Sequence, residues 1–399
     1  MKNKKQNNCV CEKHIKPTES NSISFKSLPK TEILTNRYIQ SKNYYIDQKV
    51  IFCSSCEHLF INNVIDPSLI YNQKYLTASS KSFSGKFAND IFKDFITSSS
   101  IPKKFKHIVE IGSNDLYLLK KFYNSSKMIT AIDPVVKKEK NYNKIKTIKD
   151  FFLETQTSSF DKNIDLIISS HTLEHAEHPK RFIEKVLEIS SNKTDIFFQF
   201  PSAEYLLNTF SLDQIHHQHL NYFSIKSFQK MVNSLGGKIL NFEYSKYHYG
   251  ALMVHFCLKS SRKKQIKKYN NKIKLVNYDV KKNYQMFKEH IDICIKRIEG
   301  CIKSKKVFYV VGAGYMSPLI NYHMKGIFKK AKFILDDDKE KIGKYFGGIN
   351  VKISKLRNVN LKNAVCLIAP VASVIVTRKL FSMLSSKNAD TIIVPKINF

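Results

Sequence analysis

The sequence predicts an α/β protein with two parallel sheets and a small cysteine-containing segment ahead of them. From His107 onward, apolar runs of about five residues alternate with helical patterns. A second series of the same kind starts at Val307, and two close cysteine pairs lie within the first 60 residues. We therefore expect four segments, at 1–70, 71–260, 261–304 and 305–399, of which the second and fourth are α/β domains and the third is a helical connection.

The first α/β series contains four strands and two helices by pattern. The strands are predicted at 107–111, 128–132, 164–168 and 196–200, and each is followed by a residue that ends strands, namely Gly, Asp, Ser or Pro. Apolar spacing predicts helices at 118–122 and 181–189. Short strands separated by helices indicate a parallel sheet.

Residues 262–303 predict a long amphipathic helix, because apolar residues recur every seven positions from Ile266 to Cys301. An interdomain helix is favoured over a coiled-coil dimer seam. The second series then predicts strands at 307–311, 333–335, 365–369 and 391–394. Gly312 and Gly314 indicate a second dinucleotide site only weakly, because the motif lacks its third glycine, and NAD binding is therefore the minor interpretation.

The net charge of +33 suggests nucleic-acid binding, but the composition argues against a specific site. Of 66 basic residues only six are arginine, and the lysines are spread along the whole chain. The sequence contains no run of 18 apolar residues, so no transmembrane helix is predicted. No apolar segment follows the basic N-terminus as it would in a secretory signal. We expect a cytoplasmic protein, a monomer or homodimer, with reduced cysteines.

The turn after the first predicted strand carries the strongest functional signal. Glu110, Gly112, Asn114 and Asp115 lie in a strand–loop–helix segment, which brings backbone N–H groups close to a ligand. Further candidates follow the later strands. Asp133 ends the next strand, where an acidic residue accepts hydrogen bonds from ribose hydroxyls. Asp150 and Phe151 stand where an adenine ring could be held, and His171 follows the third strand.

These segments resemble class I S-adenosylmethionine-dependent methyltransferases. Nearly the whole chain resembles a narrower group, the sugar C-methyltransferases that act on nucleotide-linked 4-keto-6-deoxy sugars. The resemblance rests on the two cysteine pairs, the Tyr-rich segment 71–80, the loop 110–115, Leu173-Glu174-His175 and the motif at 213–224. It implies a Rossmann-like methyltransferase core at 71–260, a zinc-binding module at 1–70, a Rossmann-like domain at 305–399 and a bound S-adenosylmethionine.

The resemblance also implies a chemical role for His219, which aligns with the base of that group. An imidazole with a pKa near 6.5 can remove a proton from a carbon next to a ketone at neutral pH. Tyr75, Tyr222 and Gln218 are then expected to hold sugar oxygens or the enolate. The chain departs from the group at Leu116, where the group has glycine, at Gln218, where it has an acidic residue, and at 248–251.

Two candidate metal sites follow from the spacing of histidines and cysteines. Cys53 and Cys56 form an ordinary C-x2-C pair, and Cys9 and Cys11 are one residue closer, with His14 as a possible substitute. Four such ligands predict a structural zinc; a decayed site with spare thiols is the alternative. His171-x2-Glu174-His175 also matches inverted zinc peptidases, but it follows a core strand directly and leaves little room for a helix.

The sequence therefore predicts a methyltransferase that uses S-adenosylmethionine on a nucleotide-linked deoxy sugar, with C-methylation next to a carbonyl. By the resemblance, its product would enter a surface polysaccharide or a glycosylated metabolite. Two alternatives are a sugar O- or N-methyltransferase and a catalytically silent protein of the same fold.

Overall fold

The computed structural model describes residues 4–66, 70–71, 78–99, 104–137, 142–160, 163–245, 250–263, 279–371 and 373–395. Its strands are β1 Lys4–Lys5, β2 Ser22–Pro29, β3 Leu34–Thr35, β4 Tyr45–Cys53, β5 His58–Ile61, β6 Asn63–Val64, β7 Phe105–Ile111, β8 Ser126–Ile132, β9 Ile145–Ile148, β10 Leu166–Ser170, β11 Asp195–Pro201, β12 Asn221–Tyr222, β13 Gly237–Ser245, β14 Ala251–Leu258, β15 Val307–Val311, β16 Phe333–Asp336, β17 Tyr345–Phe346, β18 Ile353–Lys355, β19 Ala364–Ile368 and β20 Thr391–Ile393. The α-helices are α1 Phe83–Ser98, α2 Tyr117–Lys120, α3 Pro179–Glu188, α4 Ala203–Asn208, α5 Ile225–Ser234, α6 Val280–Lys303, α7 Ser317–His323 and α8 Val374–Ser386.

The chain forms two compact units, each assembled from separated stretches. Unit 1 comprises 1–17, 51–205 and 218–275, and unit 2 comprises 18–50, 206–217 and 276–399. This division differs from the four consecutive segments predicted, because residues 18–50 and 206–217 belong with the C-terminal part of the chain. Hydrophobic patterning reports which residues are buried, and it does not report which distant stretch buries them.

Unit 1 is built on a seven-stranded sheet of order β13-β14-β11-β10-β7-β8-β9. The four predicted strands β7, β8, β10 and β11 are parallel, and so is β9, which was not predicted. β14 pairs antiparallel with β11 and β13 antiparallel with β14, and neither strand was predicted. The strand order reverses between β7 and β10, because the chain runs from β7 outward to β9 and then crosses to β10. In open α/β sheets, ligands bind beyond the carboxyl ends of the strands at such a switch point.

Both faces of this sheet are covered, which explains the continuous apolar runs of its central strands. Along β7, Ile108 belongs to the core on one face, and Val109 and Ile111 belong to the core on the other. The first face packs against Phe92 of α1, and the second packs against Phe182 of α3. The helix predicted at 118–122 is limited to the four residues of α2, and its N-cap, Leu116, has a φ of 63°.

The cysteine-containing segment shares the core of unit 1. Cys9, Val10, Cys53 and Phe60 belong to the same buried cluster as the sheet residues Val109 and Phe198. The predicted separate module at 1–70 is therefore part of a larger unit over residues 1–17 and 51–66. β5 pairs antiparallel with β12, which links this segment to residues 221–222.

Unit 2 contains a parallel sheet of order β18-β16-β15-β19-β20, with its switch point between β15 and β19. The four strands predicted after residue 305 are β15, β16, β19 and β20. α6 begins at Val280, whereas the prediction began at 262. Arg262 and Lys263 are not helical, and 264–278 lie outside the described residues. One side of α6 buries Phe287, Ile291 and Ile298, as the periodicity predicts. Across the described ranges, no helix is both long and apolar enough to cross a bilayer.

Candidate cofactor and substrate site

The switch point of unit 1 brings the loop after β7 against the loop after β10. Gly112 has a φ of 78°, and a Cβ atom there would overlap Thr172 Oγ1 and lie 2.8 Å from Thr172 Cβ and Cγ2. Only glycine combines this left-handed conformation with such close packing. The predicted loop glycine thus brings main-chain atoms to the carboxyl edge of the sheet, where backbone N–H groups can approach a ligand.

Asp133, at the end of β8, organises this loop. Its Oδ2 accepts the Asn114 N–H at 2.9 Å, and its Oδ1 accepts the Val135 N–H at 2.8 Å. Burial raises the pKa of Asp133, although these two hydrogen bonds oppose the shift. Each carboxylate oxygen keeps acceptor capacity, so the predicted bonding of ribose hydroxyls remains chemically open.

Asn114 and Asp115 hold a neighbouring segment as well as standing in the loop. Asn114 Oδ1 accepts the Ser79 N–H at 3.3 Å, and Asp115 Oδ2 accepts the Ser80 N–H at 2.8 Å. Glu110 is buried at the end of β7, and its pKa is raised well above 4.5 by burial and by the charges of Asp133 and Asp115. The charges of Asp133 and Asp115 give this edge of the sheet a negative potential, which favours the protonated form of Glu110.

The predicted adenine-binding residues Asp150 and Phe151 are partly exposed, whereas the residue that follows them is buried. Asp150 Oδ1 accepts the Phe151 N–H at 2.8 Å, and both residues are half-buried. The following Phe152 is instead a core residue, with its ring centroid 4.9 Å from that of Phe182. Lys185 donates to the Phe152 carbonyl at 2.8 Å and so fixes this turn. Asp150 and Phe151 therefore stay partly accessible on a fixed backbone.

The segment after β10 forms a 3-10 helix over Leu173–His175, as little helix as the sequence analysis expected. His171 has a φ of 51°, and its Nδ1 donates to Glu174 Oε1 at 3.1 Å. The peptidase-like pair His171 and His175 therefore does not lie on one α-helix face. The grouped donors are instead Glu174, His175 and His219, whose ligand atoms all lie within 4.8 Å of one another.

His219 is buried, and its ring centroid lies 5.0 Å from that of His175 and 5.9 Å from that of Tyr222. Gln218 contributes its backbone, because its carbonyl accepts the His175 Nδ1–H at 2.7 Å. Tyr222 is fully buried on β12. Tyr75 lies outside the described residues. Sequence reasoning missed His175 and Glu174 as partners of His219, although the L-E-H segment was the available signal.

The histidine just before Gln218 has a different setting. His217 lies in unit 2, where its Nε2 donates to the Leu28 carbonyl at 3.0 Å and its Nδ1 accepts from Gln48 at 3.3 Å. Burial lowers the pKa of His217 to about 4. Its ring nitrogens are thus both committed to structural hydrogen bonds.

The four predicted cysteines come together in unit 1. The Sγ atoms of Cys9, Cys11, Cys53 and Cys56 all lie within 4.8 Å of one another, and we call this group the cysteine cluster. Cys9 and Cys56 Sγ are 3.3 Å apart, and Cys11 and Cys53 Sγ are 3.7 Å apart. His14 is not a member of this group, and its Nδ1 hydrogen-bonds Asn8 Oδ1 at 3.0 Å. The pKa of Cys56 is lowered to about 6 by the hydrogen bond from Cys9.

In unit 2, the loop after β15 is held by a hydrogen bond to an aspartate, as the loop after β7 is, but a proline packs against its glycine. The Ala313 N–H donates to Asp336 Oδ2 at 2.6 Å, as Asn114 does to Asp133. Gly312 has a φ of 89°, and a Cβ atom there would meet Pro370 Cδ at 2.5 Å. Pro370 therefore packs against Gly312 at the switch point of the sheet in unit 2.

Comparison with known proteins agrees with this geometry. Residues 85–241 match the family model described as a methyltransferase domain. A search of curated protein sequences gave no match.

Three solved structures with a similar fold are distant from this chain in sequence. The Burkholderia thailandensis 1,6-didemethyltoxoflavin-N1-methyltransferase, with S-adenosylhomocysteine bound, is 9% identical over 45% of this chain and 80% of its own, with a TM-score of 0.36. NodS, an N-methyltransferase from Bradyrhizobium japonicum, is 11% identical over 44% and 96%, with a TM-score of 0.34. Magnesium protoporphyrin IX methyltransferase from Synechocystis is 10% identical over 43% and 83%, with a TM-score of 0.33. Their substrates differ and carry no argument for this chain.

The matched residues include the five parallel strands of the sheet in unit 1. Residues 85–241 therefore form a methyltransferase domain with a Rossmann-like α/β core. A cluster of four cysteines accompanies that core in unit 1.

Proposed function

We propose that this protein transfers a methyl group from S-adenosylmethionine to a carbon next to the carbonyl of a nucleotide-linked deoxy sugar. The observation that carries the proposal is the position of His219. Its ring packs against His175, which lies five residues beyond Ser170, the last residue of β10. The histidine of the 213–224 motif thus lies near the edge of the sheet that carries the loop after β7.

In this proposal His219 removes the proton from the carbon next to the carbonyl. The enolate that forms then attacks the methyl carbon, and the sulfonium leaves as a neutral thioether. A positioned general base contributes about 10²–10⁴-fold in rate. The motif backbone is held in place, because Leu220 N–H donates to the Glu174 carbonyl at 2.8 Å and Gln218 accepts from His175. This fixed backbone supports a positioned imidazole at residue 219.

Tyr222 acts through His219 in this scheme, since it is fully buried and its ring packs against the imidazole. Gln218 is half-buried, and in this proposal its amide binds a sugar oxygen. Tyr75 retains its proposed role in holding a sugar oxygen. The substrate hydroxyls would then be held by neutral donors.

The donor set of the cysteine cluster fits a structural zinc. Tetrahedral Zn–S bonds of about 2.3 Å place sulfurs about 3.8 Å apart, close to the observed 3.3 and 3.7 Å. Four protein thiolates leave no open position for water, so zinc here would hold residues 9–11 to 53–56. Metal analysis of protein purified without chelator should give zinc in stoichiometric amount, reduced in Cys11→Ser and unchanged in Cys301→Ser. A trace of zinc in the unaltered protein would refute this assignment.

The reaction is tested with S-adenosylmethionine carrying a ¹³C-methyl group and a panel of nucleotide-linked keto-deoxy sugars. We expect a new C–CH₃ signal by NMR, lost by at least about 100-fold in rate in His219→Asn. The matched control is His178→Asn, an exposed histidine nearby. An O–CH₃ or N–CH₃ signal would favour the alternative sugar methyltransferase. Cofactor binding without turnover on any sugar would favour the silent protein.

Cofactor binding is measured separately by thermal denaturation with S-adenosylhomocysteine. At about 100 times its dissociation constant, a ligand stabilises the native state by about 2.7 kcal/mol. We expect this shift in the unaltered protein and in His219→Asn. A loss of the shift in His219→Asn would mean that the substitution disrupts the cofactor site, and the activity result would then say nothing about a base.

A further inference from the structure

The Glu174, His175 and His219 donors come from two segments that hydrogen bonds join at three points. The Leu220 N–H donates to the Glu174 carbonyl at 2.8 Å, and His175 Nδ1–H donates to the Gln218 carbonyl at 2.7 Å. Asn221 Nδ2 donates to the Ala176 carbonyl at 2.7 Å. The three donor side chains therefore stand on a pre-organised backbone, which is what a metal site requires.

The hydrogen bond from His175 Nδ1 decides what its other nitrogen can do. Because a carbonyl oxygen only accepts, Nδ1 must carry the proton, and in the neutral ring Nε2 presents a lone pair. That Nε2 lies 4.0 Å from Glu174 Oε1, too far for a hydrogen bond. Metal-bound histidines in proteins commonly donate their second N–H to a backbone carbonyl in this way.

Glu174 supplies a buried negative charge beside this lone pair. Its side chain has no exposed surface, and its Oε1 accepts from His171 Nδ1 at 3.1 Å. Within the described part of the chain, its Oε2 has no hydrogen-bond partner although it is buried. An unpaired buried carboxylate oxygen is costly, and a bound cation removes that cost.

We propose that Glu174, His175 and His219 bind one divalent first-row transition-metal ion, of the class of Zn²⁺ or Co²⁺. Two imidazoles and one carboxylate are a donor set such ions take in proteins. His171 and the Gln218 carbonyl would act as outer partners that orient the carboxylate and one imidazole. The His175 side chain is 17% exposed, so an ion can reach the site from solvent. Three protein ligands leave at least one coordination position open.

An ion bound here would compete with a proton for the lone pair of His219. Metal binding and the general-base role proposed for His219 would then exclude each other. The metal site itself does not depend on the proposed reaction, because binding can be measured without any substrate.

The test is a Co²⁺ titration of the full-length protein, first given one equivalent of Zn²⁺ to occupy the cysteine cluster. We expect bound Co²⁺ with weak visible bands and no thiolate-to-cobalt charge transfer. Glu174→Gln and His219→Asn should each bind one ion fewer per chain than the unaltered protein, and His178→Asn should bind the same number. Unfolding transitions measured without added metal verify that each variant is folded.

Two results would overturn the proposal. They are no Co²⁺ bound beyond the cysteine cluster at high micromolar free metal, or undiminished binding in Glu174→Gln and His219→Asn. Because the readout is the difference of one ion between variants, it holds whether or not the cysteine cluster is loaded. Failure of methyl transfer in protein without the second ion, when that ion binds normally on addition, would count against the proposed function alone.

Discussion

Adding a single methyl group at Gly112 should disrupt the loop after β7 far more than the same change disrupts the loop at a matched glycine. Gly112 and Gly236 have nearly equal φ values, 78° and 82°. In Gly112→Ala the new Cβ would overlap Thr172 Oγ1, whereas at Gly236 nothing lies within 4 Å. The two substitutions therefore share the conformational strain and differ in the steric clash.

The magnitudes follow from these two terms. A left-handed conformation costs an alanine about 1–2 kcal/mol, which is the whole effect expected for Gly236→Ala. Overpacking adds about 1–3 kcal/mol, so Gly112→Ala should lose about 2–5 kcal/mol in the free energy of unfolding. Urea unfolding of the full-length chain measures both variants.

Cofactor binding gives a second readout of the same substitution. Gly112→Ala should lose its thermal shift with S-adenosylhomocysteine, and Gly236→Ala should keep it. In Gly112→Ala/Thr172→Ala, removal of Oγ1 and Cγ2 should recover part of the lost stability. Equal destabilisation by the two glycine substitutions, with cofactor binding retained in both, would refute the close packing of Gly112 on Thr172.

Three further predictions concern groups that are buried or partly buried. Leu116 is fully buried with a φ of 63°, a conformation that costs less for glycine than for alanine. The free energy of unfolding measured with urea should therefore be about 1 kcal/mol higher for Leu116→Gly than for Leu116→Ala. The reverse order would contradict a strained backbone. The raised pKa of Glu110 means that the folded chain keeps a proton that the unfolded chain loses above pH 4.5. Stability therefore falls as pH rises from there, by up to about 1.4 kcal/mol per pH unit, and Glu110→Gln should remove that fall from the pH profile of unfolding. Burial lowers the pKa of His323 to about 3, so the unfolded chain binds a proton there that the folded chain does not as the pH falls from 6.5 to 3. The free energy of unfolding should therefore decrease over this range, and His323→Phe should reduce that decrease. An unchanged slope of stability against pH in His323→Phe would contradict this prediction.

Much of the parallel core was predictable because its signals are local. An apolar run that ends at Gly112 or Asp133 indicates a strand and the loop after it, whatever the partner strands are. The antiparallel strands β13 and β14 were missed, and α6 starts later than its heptad pattern suggested. In each case the neighbouring residues carried a pattern compatible with more than one local structure.

Leu116 shows how a local departure is absorbed. Its sequence position indicates a loop that favours glycine, and the structure keeps the left-handed conformation with leucine in place. The side chain joins the buried cluster of Phe92 and Leu119, so its burial offsets the backbone strain. Sequence alone could identify the unusual residue, but only the packing shows what holds it there.

Residue type and spacing were enough to predict the α/β class, the glycine loop, the acidic strand ends and the candidate cysteine and histidine ligands. These follow from residue type and spacing, which act over a few residues. Only the tertiary structure shows that His219 lies beside Glu174 and His175, and that His14 is outside the cysteine cluster. Such contacts depend on backbone hydrogen bonds and packing between distant segments. The periodicity of the sequence does not show which segments pair.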